Sequence, residues 1–421
     1  MPKSILSVNA GSSSVKLTFY TTDNPPKEIA NASVSGLTAP PPVLKYSRGG
    51  EKHKEKLNVE LKHPPDAFKF LLKRCISDPQ LSEVASAEDL EYICHRVVHG
   101  GDYAGAVVIT DDTYGHLKDM EELAPLHNFS ALEIVRVCKK ELPHIKSVTF
   151  FDTTFHRTLP DYIKTYPLDP RISREKGLRK YGFHGISYSF ILRSVSEFLG
   201  KPAEKTNLIT MHIGSGASIC AIKDGKSLDT SMGLTPLAGL PGATRSGSVD
   251  PSLIFHVTEE PGKLISAGEQ EGQHRNITMA EAILNKSAGW KVLTGTANFA
   301  EIAVENPPTQ NHKLAFDIIV DRILGYIGSY FVKLGGRVDA LVFAGGVGEN
   351  SALLRKRLVE ESQCLGFAID ESANDKGPAK ESVTEISKEP GKNPRVLICQ
   401  TDEQFEMAHR CVCSKLEKAS I

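Results

Sequence analysis

Three turns rich in glycine and serine carry the first chemical signal in this chain. Asn9-Ala-Gly-Ser-Ser-Ser14, with Lys16 two residues on, joins two apolar runs, Ser4–Asn9 and Val15–Tyr20. A turn of this kind between strands gathers backbone N–H groups and hydroxyls into one concavity, a nest for a phosphate. Ser12, Ser14 and Lys16 would line it, Lys16 as a point charge. The plain alternative is an ordinary polar hairpin. It is not a Walker A loop, since no helix follows and Gly-Lys-Ser/Thr is missing. His212-Ile-Gly-Ser-Gly-Ala217 is a second nest of the same build, with Gly214, Ser215 and Gly216 at its tip. The third, Gly345-Gly-Val-Gly-Glu-Asn350, follows an apolar strand. Glycine there lets backbone approach a ligand closely, so Gly345, Gly346, Val347, Gly348 and Asn350 suit an adenosine. A tight strand–helix turn is the alternative. Six further residues stand at strand ends or helix starts: Arg96, His127, Asp152, His184, Arg245 and Glu403. One such residue is usually structural, whereas six beside element boundaries point to a site.

The elements that would position these groups form two similar series. In the first half, strands Ser4–Asn9 and Val15–Tyr20 are followed by a helix through Phe68, Leu71, Leu72, Cys75 and Ile76. Strand Glu91–Val98 then runs into His99-Gly-Gly101, a helix carries Leu132, Val135, Cys138 and Leu142, and strand Ser147–Phe151 ends at Asp152. A helix after Ser187 turns Ile191, Val195, Phe198 and Leu199 inward. The series then restarts, with strands Asn207–His212 and Ser218–Lys223, a long helix Leu314–Leu334 and strand Val338–Phe343. Glu371–Pro394 reads as a polar loop insertion before strand Arg395–Cys399, and an end helix carries Phe405, Ala408, Val412 and Leu416. The order predicts two copies of one α/β plan. Duplicated α/β domains bind ligands in the cleft between them, at the carboxyl ends of strands.

Composition narrows the class. The chain has 421 residues, enough for two domains. Fifty Lys and Arg balance 51 Asp and Glu, which argues against a nucleic-acid or membrane-surface partner, so any anion site must be local. Of eight cysteines, Cys94, Cys220 and Cys399 sit in apolar runs and read as buried hydrophobes. The Cys411-x-Cys413 spacing matches no zinc pattern. A reduced cytoplasmic setting is expected. No targeting segment or membrane span is visible.

Longer motifs make the reading specific. Asn9-Ala-Gly-Ser-Ser-Ser-Val-Lys16, His95-Arg-Val-Val-His-Gly-Gly101, Ala124-Pro-Leu-His-Asn128, Phe151-Asp-Thr-Thr-Phe-His156, Tyr181-Gly-Phe-His-Gly185, Thr235-Pro-Leu237 and Thr244-Arg-Ser-Gly247 resemble the acetate kinase family in order and spacing. The resemblance implies an α/β fold of two duplicated actin-like (ribonuclease H-like) domains with a central cleft. These would be residues 1–153 completed by a C-terminal helix 404–421, and a nucleotide-binding domain 154–403. It implies a homodimer, ATP/ADP as co-substrate, Mg²⁺ (Mn²⁺ possible), and acetate or another short carboxylate as acceptor. It assigns Arg96 and Arg245 to the carboxylate and phosphoryl oxygens, and His184 with Asn9 to the transferring group. His127 and His212 go to phosphate, Asp152 to orienting an arginine, and Asn9 and Glu403 to the metal. Val98, Leu126, Phe183 and Pro236 would hold the methyl group. Asn298 and Phe299 lie near the adenosine, where Ala300 replaces the family's arginine and Ser215 its asparagine.

Overall fold

Alternation of apolar residues is clearest where each half begins. The computed structural model describes residues 3–11, 13–38, 40–120, 128–270 and 273–413, with backbone alone for 267–270 and 273–275. The chain divides into two compact units. Residues up to Thr154, together with those from Asp402 onward, form the first, and Phe155–Thr401 form the second.

In the first unit, β1 (Ser4–Ala10), β2 (Ser14–Thr21), β3 (Glu28–Ser35), β4 (Val43–Arg48), β5 (Glu51–Lys56), β6 (Leu90–Val97), β7 (Val107–Val108) and β8 (Lys146–Phe151) make one eight-stranded sheet. Its order is β5-β4-β3-β2-β1-β6-β8-β7. Helices Pro64–Ile76 and Phe129–Glu141 bury Phe68, Leu71, Cys75, Ile134 and Cys138 with Leu6, Val8, Leu17 and Phe19 of the strands. The outermost strand β5, Glu-Lys-His-Lys-Glu-Lys, is exposed at every position, and its charges discourage pairing with another chain.

The second unit has β9 (Leu208–Ile213), β10 (Ala217–Lys223), β11 (Lys226–Thr230), a separate hairpin β12 (Leu264–Gln270) with β13 (Gln273–Thr278), then β14 (Ala340–Ala344), β15 (Val383–Glu385) and β16 (Arg395–Cys399). Its six-stranded sheet runs β11-β10-β9-β14-β16-β15. The two sheets share a plan. β1 pairs antiparallel with β2 and parallel with β6, which pairs parallel with β8. β9 pairs antiparallel with β10 and parallel with β14, which pairs parallel with β16. The helix Gln310–Lys333 lays Phe316, Ile319, Val320, Ile323, Ile327 and Tyr330 on this sheet at the three-and-four spacing of one helical face.

Several details differ from the sequence reading. Strands β3, β4 and β5 fill the stretch between the second strand and the helix through Phe68, where the sequence reading placed no element. Ala30, Ala32 and Val34 do alternate inward, but two of them are alanines and give a weak period-two signal. Glu371–Pro394 is not a bare loop, since it holds the helix Glu371–Lys376 and the edge strand β15. Phe198 is 40% exposed, because the helix Gly185–Leu199 stops one residue later at Gly200 and its last turn leaves the core. The Arg395 guanidinium lies 5.9 Å from the Phe198 ring centroid instead. Gly345–Asn350 is itself a short helix. No helix among the described residues is long and apolar enough to cross a membrane.

Candidate active site

In the first unit, parallel pairing of β1, β6 and β8 brings three strand ends side by side, and the last helix adds a fourth group. Asn9 ends β1, Arg96 lies at the end of β6, Asp152 follows β8, and Glu403 opens the helix Glu403–Cys413. Arg96 donates through Nε to Asp152 Oδ1 at 3.2 Å and through Nη2 to Oδ2 at 2.7 Å, a two-pronged pair. Its Nη1 reaches Asn9 Oδ1 at 3.4 Å and Glu403 Oε2 at 3.2 Å. Asn9 Nδ2 also donates to Glu403 Oε2 at 3.2 Å. Burial alone would lower the Arg96 pKa, but the Asp152 and Glu403 carboxylates outweigh it and raise it. Two carboxylates against one guanidinium leave this cluster with an excess negative charge. Glu403 Oε1 is buried and has no hydrogen-bond partner among the described residues.

That surplus and that vacant acceptor suit a divalent cation held through water. No group of three or more His, Cys, Asp or Glu side chains among the described residues could hold a metal by itself. Mg²⁺ fits this arrangement, because it keeps much of its water and takes one or two carboxylates beside substrate phosphates.

In the second unit the backbone is bent to present two imidazoles together. His184 caps the helix Gly185–Leu199 with φ 59° and ψ 21°, left-handed values that a residue with a Cβ adopts at a cost of about 1–2 kcal/mol. His156 helps fix this turn. Its Nε2 lies 2.9 Å from Phe183 O and its Nδ1 2.8 Å from Ser227 Oγ, and burial pulls its pKa down to about 4. The His184 ring stacks on His212, with centroids 4.2 Å apart and planes at 23°. Arg245 comes to the Gly214–Gly216 turn through backbone stitching, since Ala243 N donates to Ser215 O at 2.9 Å. A Cβ on Gly216 would sit 3.1 Å from Arg245 Nη1, so the missing side chain makes room for the guanidinium. Arg245 Nη1 reaches Pro236 O at 3.5 Å, and burial lowers the arginine's pKa.

The glycine-rich helix abuts the same strand end. Gly345 has φ 76°, and a Cβ there would lie 2.8 Å from Ile213 O and 3.1 Å from His212 Cδ2. Glu349 folds back, its Oε1 accepting from Gly345 N at 3.0 Å and Thr401 N at 3.2 Å, and burial raises its pKa. Arg355, 1% exposed, ties the other end, donating through Nη1 to Gly348 O at 2.9 Å and Glu349 O at 2.7 Å. Gly346 faces open space, and Asn350 Nδ2 donates to Gly346 O at 2.8 Å. Val347 packs at the edge of the core. Asn298 caps a short turn, accepting from Ala300 N at 3.2 Å. Phe299 is buried against Trp290 and Phe316, so its ring supports that turn from inside the core.

Comparison with known proteins gives the arrangement its family. The model of the acetokinase family matches residues 4–409. The chain belongs to the acetokinase family. Over 411 residues, 97% of both chains, it is 64% identical to a probable acetate kinase of Emericella nidulans. The crystal structure of Porphyromonas gingivalis acetate kinase covers 99% of this chain and all of its own at 34% identity, with a TM-score of 0.81. A propionate kinase from Francisella tularensis covers 97% of this chain and 98% of its own at 31% identity, with a TM-score of 0.82. The chain is therefore a phosphotransferase with a carboxyl acceptor, on the duplicated actin-like fold.

Within this acetokinase the residues singled out from sequence fall into separate sets. Asn9, Arg96, Asp152 and Glu403 meet in the first unit, where Ser14 is half-buried and Lys16 exposed beside them on β2. Val98 is half-buried in the same unit. His184, His212, Gly214, Ser215, Gly216, Pro236 and Arg245 form the second set, with Phe183 fully buried. Ser12, Leu126 and His127 lie outside the described residues, as does Leu416 of the end helix. Sequence reasoning passed over Asn128, whose amide clamps residue 99 from both sides, accepting from His99 N and donating to His99 O at 2.8 Å each. It lies inside the Ala124–Asn128 motif, so its position was visible and its partner was not. Arg355, Tyr188 and Ser218 were also passed over, because each acts through a neighbour distant in sequence.

Proposed function

We propose that this protein is an acetate kinase, transferring the γ-phosphoryl group of ATP to acetate to give acetyl phosphate and ADP, reversibly. The carrying observation is the Arg96 cluster, in which an arginine is fixed by Asp152 beside Glu403 with its vacant oxygen. Match to acetate kinases along nearly the whole chain supports acetate as the acceptor. A carboxylate oxygen attacks the γ-phosphorus and the bond to the β-phosphate bridging oxygen breaks. The acid is ionised at neutral pH, so no general base is needed, and the protein's task is to position two anions and absorb charge.

Arg245, desolvated against Gly216, takes the phosphoryl oxygens, and Arg96 faces the carboxylate. His184 donates to the transferring group and His212 to phosphate, with Asn9 beside the first-unit cluster. The hairpin turns carrying Ser14 and Gly214–Gly216 cradle phosphates, and Gly345–Asn350 with the Asn298 turn meets the adenosine. A divalent ion, Mg²⁺ or Mn²⁺, would neutralise phosphate charge from the Glu403 side. Val98, Leu126, Phe183 and Pro236 set acceptor size. The protein works in the cytoplasm as a homodimer; six buried free cysteines support the reducing compartment.

A propionate kinase shares this fold at 31% identity, so acceptor size is a property to measure in this chain. One methylene in an apolar pocket is worth about 1–3 kcal/mol of discrimination. Efficiencies for acetate and propionate are therefore measured in the natural protein and in Val98→Ala. The expected result is preference for acetate and a shift toward propionate in the variant. An unmoved ratio would place the pocket elsewhere.

A further inference from the structure

We infer that Tyr188 and Ser218 are positioning residues that set the proton on His184, and that Ser187 with Thr401 does the same for His212. The inference rests on the phosphoryl-facing roles proposed above for the two histidines. Its ground is a pair of parallel hydroxyl relays. His184 Nδ1 lies 2.8 Å from Ser218 Oγ, which contacts the hydroxyl of Tyr188 within hydrogen-bonding distance. His212 Nδ1 lies 2.8 Å from Ser187 Oγ, which lies 2.8 Å from Thr401 Oγ1. Ser187 and Tyr188 are consecutive residues in the first turn of the helix that His184 caps. One helical turn thus serves both rings.

A neutral imidazole carries one N–H, and whatever bonds the other nitrogen decides which. A phenol is a stronger acid than an aliphatic alcohol and a poorer acceptor. Tyr188 therefore donates to Ser218 Oγ, which leaves the serine's own O–H to donate to His184 Nδ1. The proton on His184 must then sit on Nε2. Ser187, when it accepts from Thr401, leaves His212 in the same form. The rings are stacked at 4.2 Å and each is tied through Nδ1, so the tautomer set by the relay carries its N–H on Nε2. Without the relay the opposite tautomer would turn a lone pair toward a phosphoryl oxygen and repel it. Tyr188 and Ser218 are both fully buried, so water does not replace either hydroxyl readily.

The test is nitrogen-15 NMR of the full protein labelled at histidine, with signals assigned from His184→Gln and His212→Gln, alongside steady-state kinetics. The natural protein should show both rings as the Nε2–H tautomer. Tyr188→Phe and Ser218→Ala should mix the tautomers of His184 and leave His212 alone. Loss of one such hydrogen bond should lower kcat by about tenfold, with KM for acetate and nucleotide within about twofold. An Nδ1–H tautomer at His184 in the natural protein would overturn the inference, and so would a Tyr188→Phe protein with unchanged tautomer and kcat. A shifted tautomer with unchanged kcat would support the relay and overturn the role proposed for His184 in phosphoryl transfer.

Discussion

Arg355→Met removes a buried fork that no other residue can replace. The guanidinium donates to Gly348 O, Glu349 O, Asn374 Oδ1 at 2.7 Å and Asn374 O at 2.8 Å. Burial lowers its pKa to about 10, with Asp375 opposing. Methionine fills similar volume but takes the guanidinium from all four acceptors; Asn374 O keeps the Gly377 N–H, and the other three lose the donor they had in Arg355. At about 1–2 kcal/mol for each of these three acceptors, less the desolvation cost that the lost cation no longer carries, the variant should lose about 3 kcal/mol. Trp290 is the chain's only tryptophan and is buried in the second unit's core, so its fluorescence reports that unit alone. For a unit of about 250 residues this loss lowers Tm by roughly 6–12 °C. The helix Gly345–Asn350 loses its anchor as well, so KM for nucleotide should rise while KM for acetate holds. A Tm within 2 °C of the natural protein, at unchanged nucleotide KM, would refute the reasoning.

Three other outcomes follow. Arg245→Leu should lower turnover by roughly 10³-fold or more, since a guanidinium on a transferring phosphoryl group supplies about that; the Trp290 transition should not move, and near-natural turnover would remove Arg245 from the site. Glu403→Gln keeps an oxygen for Asn9 but removes the surplus negative charge of the Arg96 cluster, so half-maximal activity should need several times more Mg²⁺; an unchanged metal titration would count against a cation there. His156 has its folded pKa depressed to about 4 from an ordinary value near 6.5, so the unfolded chain binds the extra proton first. Stability of the second unit should therefore fall as pH drops from about 6.5 to 4, by at most about 3 kcal/mol from this residue, and His156→Gln should flatten that slope.

The strands that carry the site were legible because they are apolar on both faces and end in glycine or in a charged residue. β9 and β14 show this most plainly, running into Gly214 and Gly345, and β8 runs into Asp152; Asn9, Arg96 and Asp152 could be placed at strand ends from sequence alone. β3 and β5 were not legible. One alternates alanine with polar residues, and the other is an exposed edge of lysine and glutamate with no buried face to give a period. The site was read as single residues, and their pairing needed the fold. Nothing local says that Tyr188 reaches Ser218, or that Arg355 returns to Gly348. Phe299 and Phe198 show the reverse limit, since an aromatic at the right spacing can serve the core or solvent according to where its helix ends.

The central claim is acyl phosphate formation, and trapping with hydroxylamine measures it directly. Purified protein is supplied with ATP, Mg²⁺ and acetate, and acetohydroxamate is followed against ADP. The account predicts hydroxamate and ADP in equal amounts, dependent on acetate, and lost in Arg245→Leu. ADP release without acetate dependence, or hydroxamate formed equally well by Arg245→Leu, would contradict it.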